Sequence, residues 1–133
     1  VVLLAHQSRP GKSDFTNTLG HARELGRLLG RRVDWVDDVC GERAMAAIEA
    51  LEPGRILMLN NVRGEEEETS VKGGHAVTGN TNLVTRLASV ADLYVNDAFA
   101  CAHRASPTIT GFAEHLPCLT GVLMQSGCVH YTA

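Results

Sequence analysis

Apolar and polar residues fall in blocks along the chain. Val1-Val2-Leu3-Leu4-Ala5 is a continuous apolar run of strand length. It is closed by a polar segment punctuated by Pro and Gly, His6-Gln7-Ser8-Arg9-Pro10-Gly11-Lys12. Leu19, Ala22, Leu25, Leu28 and Leu29 then recur at helical spacing, behind a cap at Asn17 or Thr18 and before a stop at Gly30. Val33 to Val36 predicts a short second strand. Glu42 to Leu51 predicts a helix with Ala44, Met45, Ile48 and Leu51 on one side, closed by Pro53-Gly54. Ile56 to Leu59 is a third buried strand that runs into Asn60-Asn61-Val62-Arg63. Gly64 to Asn80 holds Glu65 to Glu68 and Gly73, Gly74 and Gly79, and reads as a mobile, solvated loop. A helix capped by Asn80 or Thr81 buries Leu83, Val84, Leu87, Ala88 and Ala91. Leu93 to Val95 is a fourth strand, ending in Asn96-Asp97. After Arg104 a helix carries Ile109, Phe112, Ala113 and Leu116 and stops at Pro117. From Gly121 the pattern is ambiguous.

Strands that are apolar on both faces alternate with amphipathic helices. This predicts an α/β, Rossmann-like three-layer domain with a mostly parallel sheet and helices on both faces. All four strands are expected in one sheet, the first and third parallel. Right-handed crossovers place the C-terminal ends of parallel strands at one edge, where open α/β sheets bind ligands. His6 and Arg9 follow the first strand and Arg63 follows the third. Asn96 and Asp97 end the fourth, with His103 and Arg104 close behind. Guanidinium forks match carboxylate and phosphate oxygens, so the rim predicts a site for a small, multiply charged anion.

Composition narrows the partners. The 133 residues carry a formal net charge of -3, and only 5% are aromatic, which disfavours nucleic acid and anionic membrane as general partners. No apolar run has the length of a membrane span. Cys40, Cys101, Cys118 and Cys128 form no C-x-x-C pair, so zinc is not expected and reduced cytoplasmic thiols are. The chain opens without Met inside an apolar run, which predicts a fragment.

Three segments carry a family resemblance. Val2 to Gly11 resembles the first long motif of phosphoglycerate kinase in its archaeal wording. Leu59-Asn60-Asn61-Val62-Arg63 resembles the Glu-Asn-(Leu/Val)-Arg motif of that family. Ala91 to Phe99, followed by Ala102-His103-Arg104-Ala105, resembles its most distinctive N-terminal signature, and Gly111 to Pro117 continues the match. The order and spacing agree from Val1 to about Met124.

The resemblance implies an N-terminal, 3-phosphoglycerate-binding domain over residues 1–124 that lacks its first strand. It also implies a divergent tail over 125–133 and an absent C-terminal nucleotide domain. The implied chemistry is glycolytic transfer of a phosphoryl group between 1,3-bisphosphoglycerate and ADP. ATP or ADP with Mg2+ would act in the intact enzyme, with neither expected on this chain alone, which is expected to be inactive by itself. His6, Gln7, Ser8 and Arg9 would form the substrate loop, with His6 and Arg9 as direct contacts. Arg63 and Arg104 would clamp the phosphate end and neutralise charge in the transition state, with His103 and Asn96 as accessories. The sequence departs from the family at Asn60, where Glu is usual, and at Gly64, where an aromatic is usual.

Other readings are weaker. Gly11-Lys12-Ser13 after a buried strand suggests a degenerate P-loop NTPase, but His6 stands where that motif needs its first Gly, and Pro10 removes an N–H. A non-catalytic module that kept the fold is the third possibility. Asp97 and the pair Asp37-Asp38 are expected as structural caps, and Glu65 to Glu68 as a solvated run rather than a metal site.

Overall fold

The computed structural model of the chain describes residues 1–131, the backbone alone over the last three. The expected tail over 125–133 therefore ends in two residues that lie outside the described ones. The chain forms two compact units, Val1–Ser70 and Val71–Ala133.

The first unit holds a three-stranded sheet of β1 (Val2–Ala5), β2 (Asp34–Trp35) and β3 (Leu57–Asn61), in the order β1-β3-β2. Both pairings are parallel, with Val2 opposite Leu57 and Ala5 opposite Asn61 across an irregularity after Leu3. The central strand is the most buried, with Leu57, Met58 and Leu59 all inside the core. Helices α1 (Leu19–Leu29) and α2 (Glu42–Glu49) connect the strands, and α3 (Glu66–Ser70) follows β3. Gly30 ends α1 as expected, with φ 60°, a left-handed conformation that glycine adopts without a steric penalty. Leu28 and Leu29 are exposed, so only part of the expected apolar face of α1 is buried.

The second unit contains α4 (His75–Thr78), α5 (Asn82–Ala88), β4 (Tyr94–Asn96), α6 (Pro107–Thr110), β5 (Cys118–Thr120) and α7 (Val122–Tyr131). Thr81 caps α5 as predicted, its hydroxyl accepting the Val84 N–H at 3.3 Å. Leu83, Val84, Leu87, Ile109, Phe112 and Met124 are buried, and the Tyr94 ring stacks on Phe112 at 4.7 Å between centroids.

The α/β class with parallel strands is as the alternation predicts. Three expectations are corrected. The four expected strands do not form one sheet: β4 pairs in parallel with β5, which the sequence does not announce. Cys118–Thr120 is three residues long and exposed, and its sequence ends in a polar Thr with no longer apolar run to announce it. The stretch from Gly64 to Asn80 is not a structureless loop, since α3 and α4 lie within it. The single helix expected after Arg104 is broken into α6 and a 3-10 turn at Gly111–Glu114. A Cβ at Gly111 would sit 2.7 Å from the Thr78 carbonyl oxygen, so that close backbone approach needs glycine.

Candidate functional site

The parallel pairing of β1 with β3 sets the geometry of the first unit's site. Because Ala5 lies opposite Asn61, the chain leaves both strands at the same sheet edge. His6, Gln7, Ser8 and Arg9 depart from one strand there, and Val62 and Arg63 from the other. Asn61, itself buried, ties them together. Its side-chain N–H groups donate to the backbone carbonyls of Gln7 at 2.7 Å and Thr16 at 2.8 Å. Its Oδ1 accepts from the backbone N–H of Gln7 and of Arg63, both at 3.1 Å.

Asn60 extends this network. Its Oδ1 accepts from the Thr18 and Asn61 backbone N–H groups at 3.3 and 2.7 Å, and its Nδ2 donates to Asp37 at 2.7 Å. Thr18 donates its hydroxyl to the Leu59 carbonyl at 2.6 Å and accepts from the Trp35 indole at 2.9 Å. An amide at position 60 thus serves as donor and acceptor at once, a pairing an ionised carboxylate does not offer.

Each predicted loop residue has a distinct setting. The Ser8 hydroxyl donates to Asp14 at 2.5 Å, and Ser8 has φ 58°, uncommon for a residue with a side chain. The Gln7 amide donates to the Asp14 carbonyl at 3.3 Å. Both side chains shape the loop. Arg9 is exposed, and its side chain makes no hydrogen bond or ion pair among the described residues. Arg63 is only 7% exposed. His6 is half-buried, and its Nε2 lies 3.0 Å from Oε1 of Glu68, which is wholly buried. The sequence pattern misses Glu68: within Glu65 to Glu68 it looks solvated, and its partner stands 62 residues earlier.

Arg104, His103 and Asn96 belong to the second unit. Asn96 accepts the Ala98 N–H at 3.0 Å and shapes the turn after β4. His103 is exposed. The Arg104 Nε is buried and has no hydrogen-bond partner among the described residues, a cost that an acceptor on a ligand would offset. Asp97 accepts the Met124 N–H at 2.9 Å, the structural role expected of it.

Gly11-Lys12-Ser13 lies in turns, and the next helix starts only at Leu19. A phosphate nest needs those residues to open the helix directly, so the P-loop alternative loses its structural basis. No group of three His, Cys, Asp or Glu side chains gathers among the described residues as a metal site would need. The cysteines Cys40, Cys101, Cys118 and Cys128 are all free thiols.

The fold and this sheet edge define an α/β protein in which the loops after two parallel strands leave at one edge, the place where open α/β sheets bind ligands. The family model of phosphoglycerate kinase matches residues 1–132, and the chain belongs to that family. Phosphoglycerate kinase 2 of Methanosarcina acetivorans is 47% identical over 129 residues, which cover 97% of this chain and 31% of that protein. The phosphoglycerate kinase of Methanobacterium bryantii is 45% identical over 93% of this chain and 30% of its own length. The crystal structure of the Pyrococcus horikoshii phosphoglycerate kinase superposes with a TM-score of 0.94 at 37% identity, covering 98% of this chain and 32% of that one. This chain therefore spans a little under a third of the length of the relatives it matches.

Proposed function

We propose that this chain supplies the 3-phosphoglycerate-binding part of a phosphoglycerate kinase, with residues 1–124 as that domain. The carrying observation is the parallel β1–β3 pairing, which sends the His6–Arg9 loop and Arg63 out at one sheet edge under the grip of Asn61. In this reading His6 and Arg9 contact the substrate while Gln7 and Ser8 hold the loop's shape. Arg63 and Arg104 take the phosphate end and offset the charge that develops during transfer between 1,3-bisphosphoglycerate and ADP. His103 and Asn96 are accessories.

The partners are 3-phosphoglycerate, 1,3-bisphosphoglycerate and the nucleotide domain of the same enzyme. That domain would bring ATP or ADP with Mg2+, and the setting is the cytoplasm. No helix among the described residues is long and apolar enough to cross a membrane. The 133 residues by themselves bind but do not turn over, because nothing in them matches the family's nucleotide site and holds ATP in line with the acceptor.

Calorimetric titration of 3-phosphoglycerate into the wild type, Arg63→Ala and Arg104→Ala tests the reading. Each charge-assisted contact contributes about 1.5–3 kcal/mol before the cost of ordering, so binding is weak, falls with salt, and falls further in both variants. Equal affinity in all three proteins refutes the site. ATP-dependent turnover by the purified chain alone refutes the expected inactivity.

A further inference from the structure

Glu68 is a buried carboxylate that the proposed function does not use. It is 0% exposed, and a charged group there persists only with partners that replace its lost hydration. Among its contacts is the imidazole of His6, with Nε2 at 3.0 Å from Oε1. An ionised carboxylate only accepts, so in that state of Glu68 the ring nitrogen facing it carries the proton. Nε2 is thereby engaged by Glu68, and the ring's other nitrogen is Nδ1.

The pair is part of a larger juxtaposition. Asn61 grips Gln7 through both backbone polar groups, and Glu68, seven residues further on, takes the side chain of the preceding residue, His6. Arg63 lies between those two anchors in the chain and is hydrogen-bonded through its backbone to Asn61. One segment, residues 61–68, thus sets the backbone of the loop, the ring of its histidine and the start of the Arg63 turn. A solvated acidic run has no reason to bury its fourth carboxylate against a histidine 62 residues away.

We infer that Glu68 is a positioning residue for the anion site, holding the His6 ring by Nε2 so that the histidine meets the substrate in one tautomer and one orientation; the inference rests on the function proposed above. Glu68 itself touches no substrate. Its effect on binding passes through His6, and that separates it from an ion pair that only stabilises the fold.

The test uses the full chain, labelled with 15N, as wild type, Glu68→Gln, Glu68→Asp, His6→Ala and the double variant His6→Ala/Glu68→Gln. Two-bond 1H–15N spectra read the imidazole nitrogens, and calorimetry reads 3-phosphoglycerate. Glu68→Gln keeps the shape and removes the charge. It should shift the His6 ring nitrogens, leave the other histidines in place and weaken binding about tenfold. Glu68→Asp keeps the charge with a shorter reach, and it should also move the ring signals and weaken binding. In the His6→Ala background Glu68→Gln should add nothing further, because the two act as one unit.

Wild-type affinity in either Glu68 variant overturns the inference while leaving the proposed function standing. So does a loss of binding that persists undiminished without His6. Absence of 3-phosphoglycerate binding by the wild type overturns the proposed function, and the role of Glu68 toward that ligand with it.

Discussion

Asn61 holds Gln7 by both of its backbone polar groups, donating to its carbonyl at 2.7 Å and accepting from its N–H at 3.1 Å. A backbone residue satisfied on both sides by one side chain cannot shift along β3 without breaking both bonds. The loop carrying His6 and Arg9 is therefore registered to the strand that delivers Arg63. Asn61→Ala leaves the Gln7, Thr16 and Arg63 backbone groups to find other partners, at a cost of about 2 kcal/mol or more. Asn61→Asp keeps the acceptor but sets a carboxylate against two carbonyl oxygens, so it should also destabilise. Urea unfolding checks both: the midpoint should fall with little change in slope. A midpoint within error of the wild type in Asn61→Ala would mean that the loop is held elsewhere.

Asp38 anchors the start of α2. Its carboxylate accepts from the backbone N–H groups of Val39 at 2.8 Å, Gly41 at 3.1 Å and Ala44 at 2.9 Å. Burial alone would raise its pKa, but these amides, with that of Arg43, together hold it below the usual aspartate value. A depressed native pKa means stability that is fully present above the unfolded value of about 3.9 and is lost as the pH falls through the native one. Asp38→Ala should cost about 1–2 kcal/mol at neutral pH, and its difference from wild type should shrink below about pH 4. Gly41→Ala should act on the same cap, because a Cβ there would lie 2.6 Å from an Asp38 oxygen. Thermal melts across pH 3–7 give both answers, and a pH-independent gap would count against the cap.

The apolar blocks announce β1, β2, β3 and β4 because each is a local property of a few residues, and Gly30 and Thr81 mark helix ends for the same reason. The strand ends are legible too, and with them the place of His6, Arg9 and Arg63. What escapes local reading is what depends on distant partners. Glu68 is buried against His6, 62 residues away, and nothing in four consecutive glutamates distinguishes the fourth. β5 is defined by its pairing with β4 and has no apolar pattern of its own. Asn60 and Asn61 are visible as part of a motif, but their bonds to Thr18, Gln7 and Thr16 exist only once two strands and a loop have met.

Glu65 gives the opposite pH signature to Asp38. Burial pushes its pKa up first, and the negative charges of Asp38 and Glu67 add to this, against a smaller opposing contact from the Cys40 thiol. A carboxyl with a raised native pKa contributes stability that is present below its unfolded value of about 4.3 and lost as the pH rises through the native one. Glu65→Gln removes that loss. It should therefore stabilise the fold at neutral pH, by under about 1 kcal/mol because the group is only half-buried. The gain should vanish as the pH is lowered past about 4. A variant less stable than wild type at pH 7 would show that the Glu65 charge is favourable and the reasoning inverted.

Asp97 is bound into the start of α7 by two features that depend on each other. Its Oδ1 accepts the Met124 N–H at 2.9 Å, in the first turn of the helix. Gly121, just before that helix, donates its N–H to the Asn96 carbonyl at 2.9 Å, continuing the β4–β5 register past Thr120. This close passage brings Gly121 against the Asp97 carboxyl, and a Cβ there would lie 2.3 Å from Asp97 Cγ. Asp97→Ala should cost about 0.5–1 kcal/mol, the lower range for a cap because Asp97 is exposed. Asp97→Asn keeps an acceptor oxygen and should cost less. Gly121→Ala should cost about 1–3 kcal/mol by forcing the carboxyl or the turn aside. The two changes are predicted to be non-additive: with Asp97 already Ala the obstructing carboxyl is gone, and Gly121→Ala should lose much of its penalty. Hydrogen exchange at the Met124 amide resolves the mechanism, since its protection should drop in Asp97→Ala and survive in Asp97→Asn. Unchanged exchange at Met124 in Asp97→Ala, or strict additivity in the double variant, would mean that Asp97 neither caps α7 nor dictates glycine at 121.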